Sequence, residues 1–307
     1  MRIVVVGAGG VGGLVGGMLA RAGHRVGFVA RGAQFAALRE GGLRVEGPRG
    51  SFHLPQVEVS EDPASLAPAD AVLVCVKGWQ VRDVAPRLSP LLETGGFAVP
   101  LQNGVGAAAE LARALGEQRV VGGLIHVLVK IEAPGLVRHV AEPLLVTLGE
   151  RGGGSSPRVE ALASALRGAN VDVRVTDDVE AAAWEKFLFI DPVSAVGSAA
   201  RTPLGVLRTV PETRALIVAA MREIVEVGRV RGVRLAADAL DRAVALVDRL
   251  PPEATASMQR DVIAGRPSEL EDQVGSVVRM AREAGVPAPV HEVLYAVLLP
   301  QERAARG

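Results

Sequence analysis

The sequence has 307 residues, of which 49% are hydrophobic, and its 34 basic residues balance its 34 acidic ones. This balance argues against a nucleic acid or a membrane surface as a partner, because both usually require an excess of basic residues. No apolar run approaches the roughly 18 residues of a membrane span, so we expect a cytoplasmic protein with about two domains.

The first motif is a strand followed by a glycine-rich turn. Ile3–Val6 is predicted to be a strand buried on both faces, and Gly7, Gly9 and Gly12 follow in a Gly-x-Gly-x-x-Gly pattern. Gly7 suits the tight turn, Gly9 admits phosphates close to the backbone, and Gly12 lets the next helix pack closely on the strand. The alternative is a glycine turn without a ligand. The pattern favours a dinucleotide-binding loop, with the pyrophosphate at a helix N-terminus. The loop residues that would contact the cofactor are Gly7, Ala8, Gly9, Gly10, Val11 and Gly12.

The second predicted strand, Arg25 to Ala30, is followed directly by an arginine. Enzymes that prefer NAD place a carboxylate about 20 residues after the glycines, where it binds the ribose 2′-hydroxyl. This chain has Arg31 there and no carboxylate before Glu40. An arginine suits the 2′-phosphate of NADP, so we expect NADP as cofactor. The alternative is an ordinary surface arginine.

Strands and helices alternate over the first 125 residues, which predicts an α/β fold with a doubly wound parallel sheet of the Rossmann type. Lys77 follows the buried strand Asp70–Val76, and Asn103 follows Gly96–Leu101. Ligands of such sheets bind beyond the carboxyl ends of the strands. Lys77 and Asn103 are therefore candidates for the same site as Arg31, although Asn103 could alternatively mark a turn.

The remaining pattern predicts two domains. The N-terminal domain, residues 1–177, includes a helix over 80–92, three short antiparallel strands near 126–131, 135–140 and 144–149, and a final helix and strand. From residue 178, apolar residues recur at helical spacing and no strand is evident. We expect an all-helical C-terminal domain, residues 178–307, with helices over 179–200, 209–232, 236–249, 253–264, 268–285 and 289–303.

Lysine is rare in this chain, which makes its placement informative. Lys77, Lys130 and Lys186 are the only lysines among 34 basic residues. A buried lysine can lose a proton near neutral pH, whereas arginine cannot. Lys186 stands in an otherwise apolar part of its helix, which suits a desolvated general acid. The alternative is a lysine whose ammonium group extends to the surface.

Two further polar candidates lie on later helices, Ser257 and Glu269. Glu269 has two interpretations. It is either an active-site carboxylate or a residue of a helix start, because Ser268 and Glu271 match a capping box. The five histidines show no spacing typical of a metal site, and we expect no metal.

These motifs, in their order and spacing, resemble the ketopantoate reductase (2-dehydropantoate 2-reductase) family over essentially the whole chain. The resemblance implies NADPH-dependent reduction of a 2-oxo acid to a 2-hydroxy acid. With ketopantoate the product is pantoate, on the route to pantothenate and coenzyme A. Family members include dimers, so we expect a homodimer. Besides the glycine loop and Arg31, the matching segments are Val76–Gln80, Gln102–Gly104, Trp184–Lys186, Ser257–Asp261 and Gly265–Glu269.

The resemblance also implies a role for each candidate residue. Lys186 corresponds to the family's catalytic lysine, which gives a proton to the carbonyl oxygen, and Glu269 corresponds to the glutamate that orients the substrate or the lysine. The substrate-binding candidates are Asn103, Ser257 and Ser194. The candidates for contact with NADP are Arg31 and Lys77 near the 2′-phosphate, together with Asn103 and the glycine loop.

The chain departs from the family at four positions where many members have asparagine, which are Ile190, Ser194, Ala254 and Val274. Each missing amide removes hydrogen bonds to a substrate hydroxyl or carboxylate. We expect ketopantoate as substrate, with a different and more apolar 2-oxo acid as the alternative. A further alternative is a non-catalytic, NADP-binding regulatory protein. The retained lysine and glutamate argue against it, because binding alone needs neither.

Overall fold

The computed structural model describes residues 1–307 and divides them into two compact units. The first unit contains residues 1–102 and 107–179, and the second contains residues 103–106 and 180–307. None of the helices is both long enough and apolar enough to cross a membrane.

The first unit combines ten strands with five helices. The strands are β1 (Arg2–Val6), β2 (Arg25–Val29), β3 (Leu43–Glu46), β4 (Phe52–Leu54), β5 (Glu58–Ser60), β6 (Ala71–Val74), β7 (Phe97–Pro100), β8 (Val121–Ala133), β9 (Leu136–Glu150) and β10 (Asp172–Val175). The helices are α1 (Gly10–Arg21), α2 (Gly32–Gly41), α3 (Val81–Val84), α4 (Ala107–Leu115) and α5 (Pro157–Gly168).

The predicted parallel sheet is confirmed. It has the order β5-β2-β1-β6-β7, and every neighbouring pair is parallel. The central strand β1 is buried on both faces, and Ile3, Val4 and Val5 are fully enclosed. A continuous apolar run therefore forms the middle of the sheet, as expected for parallel strands covered on both sides.

A second sheet, which the sequence did not predict as such, has the order β10-β9-β3-β4, with β8 paired to β9. The prediction of three short antiparallel strands near 126–131, 135–140 and 144–149 is correct in the antiparallel pairing and wrong in the number and length of the strands. They belong to the long antiparallel hairpin of β8 and β9. Register shifts lie between Val127 and Val129 and again between Ile131 and Ala133. Such bulges interrupt the alternation of apolar and polar residues, so one continuous strand resembles several short ones.

Helix α1 lies between the two sheets, which explains its four interior glycines. A Cβ atom on Gly16 would lie 2.6 Å from the ring of Phe28 in β2. On the other side of the helix, a Cβ atom on Gly13 would lie 2.8 Å from Val137 of β9. The helix therefore packs closely against a sheet on either side only because its contact positions lack side chains.

The helix predicted over residues 80–92 is only partly correct. It is α-helical over α3 alone and continues to Leu92 as tighter 3₁₀ turns. Pro86 and Pro90 lie in this segment and have no backbone N–H for an α-helical ladder. The short connection still returns the chain from β6 to β7.

The second unit is helical, as predicted, and contains α6 (Val179–Ala200), α7 (Leu204–Thr209), α8 (Pro211–Val230), α9 (Ala239–Arg249), α10 (Ser257–Ile263), α11 (Val274–Ala284) and α12 (Pro289–Arg306). Its core is formed by apolar side chains from all seven helices, including Phe187, Met221 and Leu298. The short α7 was not predicted. The helix predicted to begin at residue 268 begins only at Val274.

A buried histidine connects three of these helices. His291 of α12 contacts Asp191 of α6 through Nε2 at 2.8 Å and Glu223 of α8 through Nδ1 at 2.5 Å. Burial acts to lower the pKa of His291, but the two carboxylates outweigh it and raise the pKa to about 9. The charged imidazole therefore joins α12 and α8 to α6.

Candidate active site

The glycine loop after β1 is sterically tight. A Cβ atom on Gly7, whose φ is +100°, would lie 2.7 Å from the backbone nitrogen of Val76. A Cβ atom on Gly12 would lie 2.2 Å from the carbonyl oxygen of Gly7. The N–H groups of Gly7 and Ala8 both donate to the carbonyl of Val29, which holds the turn beside β2. The turn therefore has room for glycine alone at these two positions.

The start of α1 has the features of an anion site. Gly9 is the N-cap residue and supplies no side-chain cap, and the first helical turn has no acidic residue. A Cβ atom on Gly9 would meet nothing within 4 Å, so the space in front of the helix start is open. The first N–H groups of a helix have no partner within it and attract anions. Gly10 and Val11, the first two residues of α1, therefore remain the candidates for contact with the pyrophosphate of a dinucleotide.

Arg31 lies at the end of β2, where the sequence places the 2′-phosphate contact. Its side chain is exposed, it immediately precedes α2, and it forms no ion pair. Three residues later, Gln34 donates through Nε2 to the carbonyl of Ala8 at 2.8 Å and accepts from the N–H of Gly135 at 3.0 Å. Gln34 therefore ties the start of α2 to the glycine loop and to the β8–β9 hairpin. This role of Gln34 was not predicted from the sequence.

Lys77 follows β6, at the same edge of the parallel sheet as the glycine loop. Its Nζ lies 5.8 Å from the centre of the Trp79 ring, within the range of a cation–π contact. Its backbone N–H donates to the side-chain carbonyl of Gln80 at 3.2 Å. The glycine loop, Arg31 and Lys77 thus all lie at strand C-termini of one sheet.

The second unit brings together Lys186, Asn103 and Glu269. The ammonium group of Lys186 on α6 donates to Oδ1 of Asn103 at 2.9 Å. The Nδ2 group of Asn103 lies 3.5 Å from Oε2 of Glu269, at the limit of a hydrogen bond. The amide thus presents its oxygen to the cation and its nitrogen to the carboxylate. This arrangement fixes the orientation of Asn103 between two charged groups.

The surroundings of Lys186 bring its proton affinity close to neutral pH. Burial disfavours the charged ammonium and lowers the pKa of Lys186 to about 8, although the negative charge of Glu269 acts to raise it. A group with such a pKa exists in both protonation states near neutral pH, which suits a general acid. The side chain of Lys186 is half-buried and its ammonium group is held by Asn103, unlike that of an ordinary surface lysine.

Glu269 does not lie in a helix start, and the predicted capping box of Ser268 and Glu271 does not form. The backbone N–H and the hydroxyl of Ser268 both donate to Glu302 of α12. The carboxylate of Glu271 instead accepts from Tyr295, at 2.5 Å. Glu302 thus takes the N–H of Ser268, while the hydroxyl oxygen of Ser268 accepts from the N–H of Leu270 at 3.3 Å, and residues 268–273 form a turn before α11. Glu269 is nearly enclosed in this turn, with 5% of its surface exposed.

Neither of the two candidate serines forms a hydrogen bond with this group of residues. Ser257 is the first residue of α10 and is partly buried, and its hydroxyl has no hydrogen-bond partner. Ser194 is fully enclosed on α6 and its hydroxyl is also unpartnered. No hydrogen bond joins either serine to Lys186, Asn103 or Glu269.

The four positions that lack the family's asparagines differ in accessibility. Ile190 and Ala254 are partly exposed, whereas Val274 and Ser194 are fully buried. Ile190 lies one helical turn after Lys186, so it shares the lysine's face of α6. An apolar side chain therefore stands next to the lysine on this face.

The family models and curated proteins that match this chain agree with one another. The family model described as ketopantoate reductase PanE/ApbA matches residues 3–153, and the one described as ketopantoate reductase PanE/ApbA C terminal matches residues 178–302. The chain is 33% identical over 296 residues to the 2-dehydropantoate 2-reductase of Halobacterium salinarum, with 96% of each chain covered. It is 30% identical to the enzyme of the same name from Mesorhizobium japonicum, with 97% of each covered.

Solved structures show the same similarity. The PanE/ApbA family ketopantoate reductase from Ralstonia eutropha JMP134 is 30% identical, with a TM-score of 0.91 and all of both chains covered. The 2-dehydropantoate 2-reductase from Geobacter metallireducens GS-15 is also 30% identical, with a TM-score of 0.91 and coverage of 98% of this chain and 99% of that one.

The depressed pKa of Lys186 can be measured directly, because the chain has only three lysines. We expect the signal of ¹³C at its Cε to titrate near pH 8 in an NMR experiment. In a Glu269→Gln variant the midpoint should move to lower pH, because a negative charge that favours the ammonium is lost. The Lys186 signal is assigned by comparison with the spectra of the Lys77→Arg and Lys130→Arg variants, each of which lacks the signal of one other lysine. A midpoint near the ordinary value of 10.5 would contradict the burial of this ammonium group.

Proposed function

The chain belongs to the ketopantoate reductase family, and from this premise we propose that it catalyses the NADPH-dependent reduction of 2-dehydropantoate to pantoate. Membership makes it an oxidoreductase that uses a nicotinamide cofactor. The observation that carries the proposal is the contact of Lys186 with Asn103 beside Glu269. It provides a proton donor poised near neutral pH and held in a fixed orientation.

The chemistry requires one hydride and one proton. When bound, NADPH supplies the hydride to the carbonyl carbon. Lys186 gives a proton from its ammonium group to the carbonyl oxygen, so the carbonyl becomes a hydroxyl and the lysine is left neutral. A proton from solvent then restores the ammonium. Asn103 holds the Nζ atom in place, and the charge of Glu269 favours the protonated form needed at the start.

The choice of NADPH over NADH rests on Arg31 and on the lack of a carboxylate where enzymes that prefer NAD have one. Arg31 is exposed and has no carboxylate partner, so its guanidinium group is available to the 2′-phosphate. The uncrowded backbone at Gly9 and the first N–H groups of α1 suit the pyrophosphate, which NADPH and NADH share. No carboxylate lies between the glycine loop and Glu40 to hold a ribose 2′-hydroxyl.

A more apolar 2-oxo acid is the second candidate substrate. The observation that favours it is Ile190, partly exposed and one turn from Lys186. Val274 is fully buried and has no amide to offer. These residues provide less hydrogen bonding to a substrate hydroxyl than the asparagines of other family members would.

Reversing the charge of Arg31 tests the cofactor assignment. We expect Arg31→Asp to raise the dissociation constant of NADPH about tenfold to a hundredfold, because charge-assisted hydrogen bonds to the phosphate are lost. The dissociation constant of NADH should change little. Arg39→Asp, at the other end of α2, is the matched control and should leave both constants unchanged. Equal losses for NADPH and NADH would remove Arg31 from the 2′-phosphate site.

Removing the ammonium group of Lys186 tests the mechanism. We expect Lys186→Met to lower kcat by about 10²- to 10⁴-fold, the usual contribution of a general acid, with NADPH binding nearly unchanged. In the wild type, kcat should fall as the pH rises through about 8, because only the protonated lysine can donate. Lys130→Met removes an exposed lysine paired with Glu132 and serves as the control. Near-normal turnover of Lys186→Met would exclude the lysine from the reaction.

A further inference from the structure

Gln273 is a buried amide that contacts the Glu269 carboxylate directly. Its side chain is fully enclosed, and its Nε2 donates to Oε2 of Glu269 at 3.3 Å. Its carbonyl oxygen, Oε1, has no hydrogen-bond partner. A buried carbonyl without a partner costs free energy. An apolar side chain of similar size would avoid that cost, so the amide is better explained by its contact with Glu269 than by stability.

The backbone around Glu269 is held by other groups. The N–H of Ser268 lies 3.1 Å from both carboxylate oxygens of Glu302, and Arg306 donates to the carbonyl of Ser268 at 3.0 Å. The backbone N–H of Gln273 donates to the carbonyl of Glu269 at 2.9 Å, which closes the turn. These contacts fix the main chain without the side chain of Gln273. The amide of Gln273 therefore acts on the carboxylate end of Glu269.

Two amides converge on one oxygen of this carboxylate. Nε2 of Gln273 and Nδ2 of Asn103 both point to Oε2 of Glu269. Asn103 in turn accepts from Lys186. Two donors on the same oxygen restrict rotation of the carboxylate, because a single donor would leave the carboxylate free to turn about that one contact. The geometry of Gln273 is thereby linked to that of Lys186 through two hydrogen bonds.

A second carboxylate, that of Asp272, interacts electrostatically with Glu269. Asp272 lies next to Gln273 in the same turn, and one of its carboxylate oxygens is buried without a partner. Burial and the charge of Glu269 raise the pKa of Asp272 to about 6. Arg279 and Arg306 act on Asp272 in the opposite direction. A Glu269 carboxylate free to turn would be repelled by ionised Asp272, and the amide of Gln273 offsets that repulsion with a neutral donor.

We propose that Gln273 is a positioning residue, which orients the Glu269 carboxylate toward Asn103 and Lys186. The inference rests on the proposed function in one respect, namely that Lys186 is the proton donor. Gln273 itself does not touch the reacting atoms. Its effect reaches the chemistry through Glu269, whose charge favours the ammonium form of Lys186.

The test is Gln273→Met, which keeps an unbranched side chain and removes both polar atoms. We expect kcat to fall about tenfold, the effect of losing one hydrogen bond to a charged group. The KM for NADPH should stay constant, and the alkaline fall in kcat should begin at lower pH. The melting temperature should be unchanged or higher, because an unpartnered buried carbonyl is also removed. Gln273→Asn, whose amide is one methylene too short, should show the same kinetic loss if the methionine variant folds poorly.

The matched control is Arg208→Met, in the same helical unit. Arg208 donates to the carbonyls of Val247, Asp248 and Leu250 and contacts none of the residues around Glu269. This variant should lower the melting temperature and leave the pH profile of kcat unchanged. The opposite pattern for Gln273→Met, a lower melting temperature with normal kinetics, would show that Gln273 is only structural and would overturn the proposal.

A measurement that does not depend on turnover tests the role of Gln273 separately from the proposed reaction. In NMR titrations with ¹³C-labelled lysine, the midpoint of Lys186 should be lower in Gln273→Met than in the wild type. If this shift occurs but the wild type does not reduce 2-dehydropantoate, the substrate assignment fails and the positioning role stands. If the wild type reduces 2-dehydropantoate and the Lys186 midpoint does not move, the positioning role fails alone.

Discussion

The partial desolvation of the Lys186 ammonium group is the constraint on which the chemistry of this site depends. Burial alone favours the neutral amine, because a charge loses its hydration in an apolar environment. One nearby carboxylate, Glu269, opposes this effect and leaves the pKa of the lysine at about 8. Closer or more numerous carboxylates would raise the pKa of the lysine further, and the loss of Glu269 would lower it. The position of one carboxylate therefore sets the proton affinity of the donor.

That carboxylate is positioned both by a neighbour in its own turn and by residues that are distant in sequence. Asn103 belongs to a short segment, residues 103–106, that groups with the helical unit although it follows a strand of the first unit. Glu302 on the last helix holds Ser268, and Gln273 holds the carboxylate of Glu269 itself. The buried His291 cluster independently fixes α6, the helix that carries the lysine. The geometry of the proton donor thus depends on contacts among α6, α8 and α12.

The sequence revealed the features whose physical cause is local. Gly7 and Gly12 are recognisable because each must be glycine for a reason within its own strand, turn and helix, and the structure shows both contacts. Lys186 stood out because its neighbours along the helix are apolar. The long helical pattern of the second unit was equally visible, since it depends only on the spacing of apolar residues.

The features that the sequence did not reveal depend on partners far along the chain. Gln34 contacts Ala8 and Gly135, which are 26 and 101 residues away. The capping box at Ser268 was a reasonable local prediction, but Glu302, 34 residues later, accepts from the Ser268 N–H in place of Glu271. No local pattern marks Gln273 either, because a glutamine has the same appearance whether its amide faces water or a buried carboxylate.

The most direct measurement is the rate of NADPH oxidation by the wild-type protein with 2-dehydropantoate. NADH and the substrate analogue that lacks the hydroxyl group serve as comparisons. We predict rapid turnover with NADPH and 2-dehydropantoate, and slower turnover when either one is replaced. Binding of NADPH without its oxidation by 2-dehydropantoate would contradict the proposed reaction. Faster turnover of the analogue would contradict the substrate assignment and favour the more apolar 2-oxo acid.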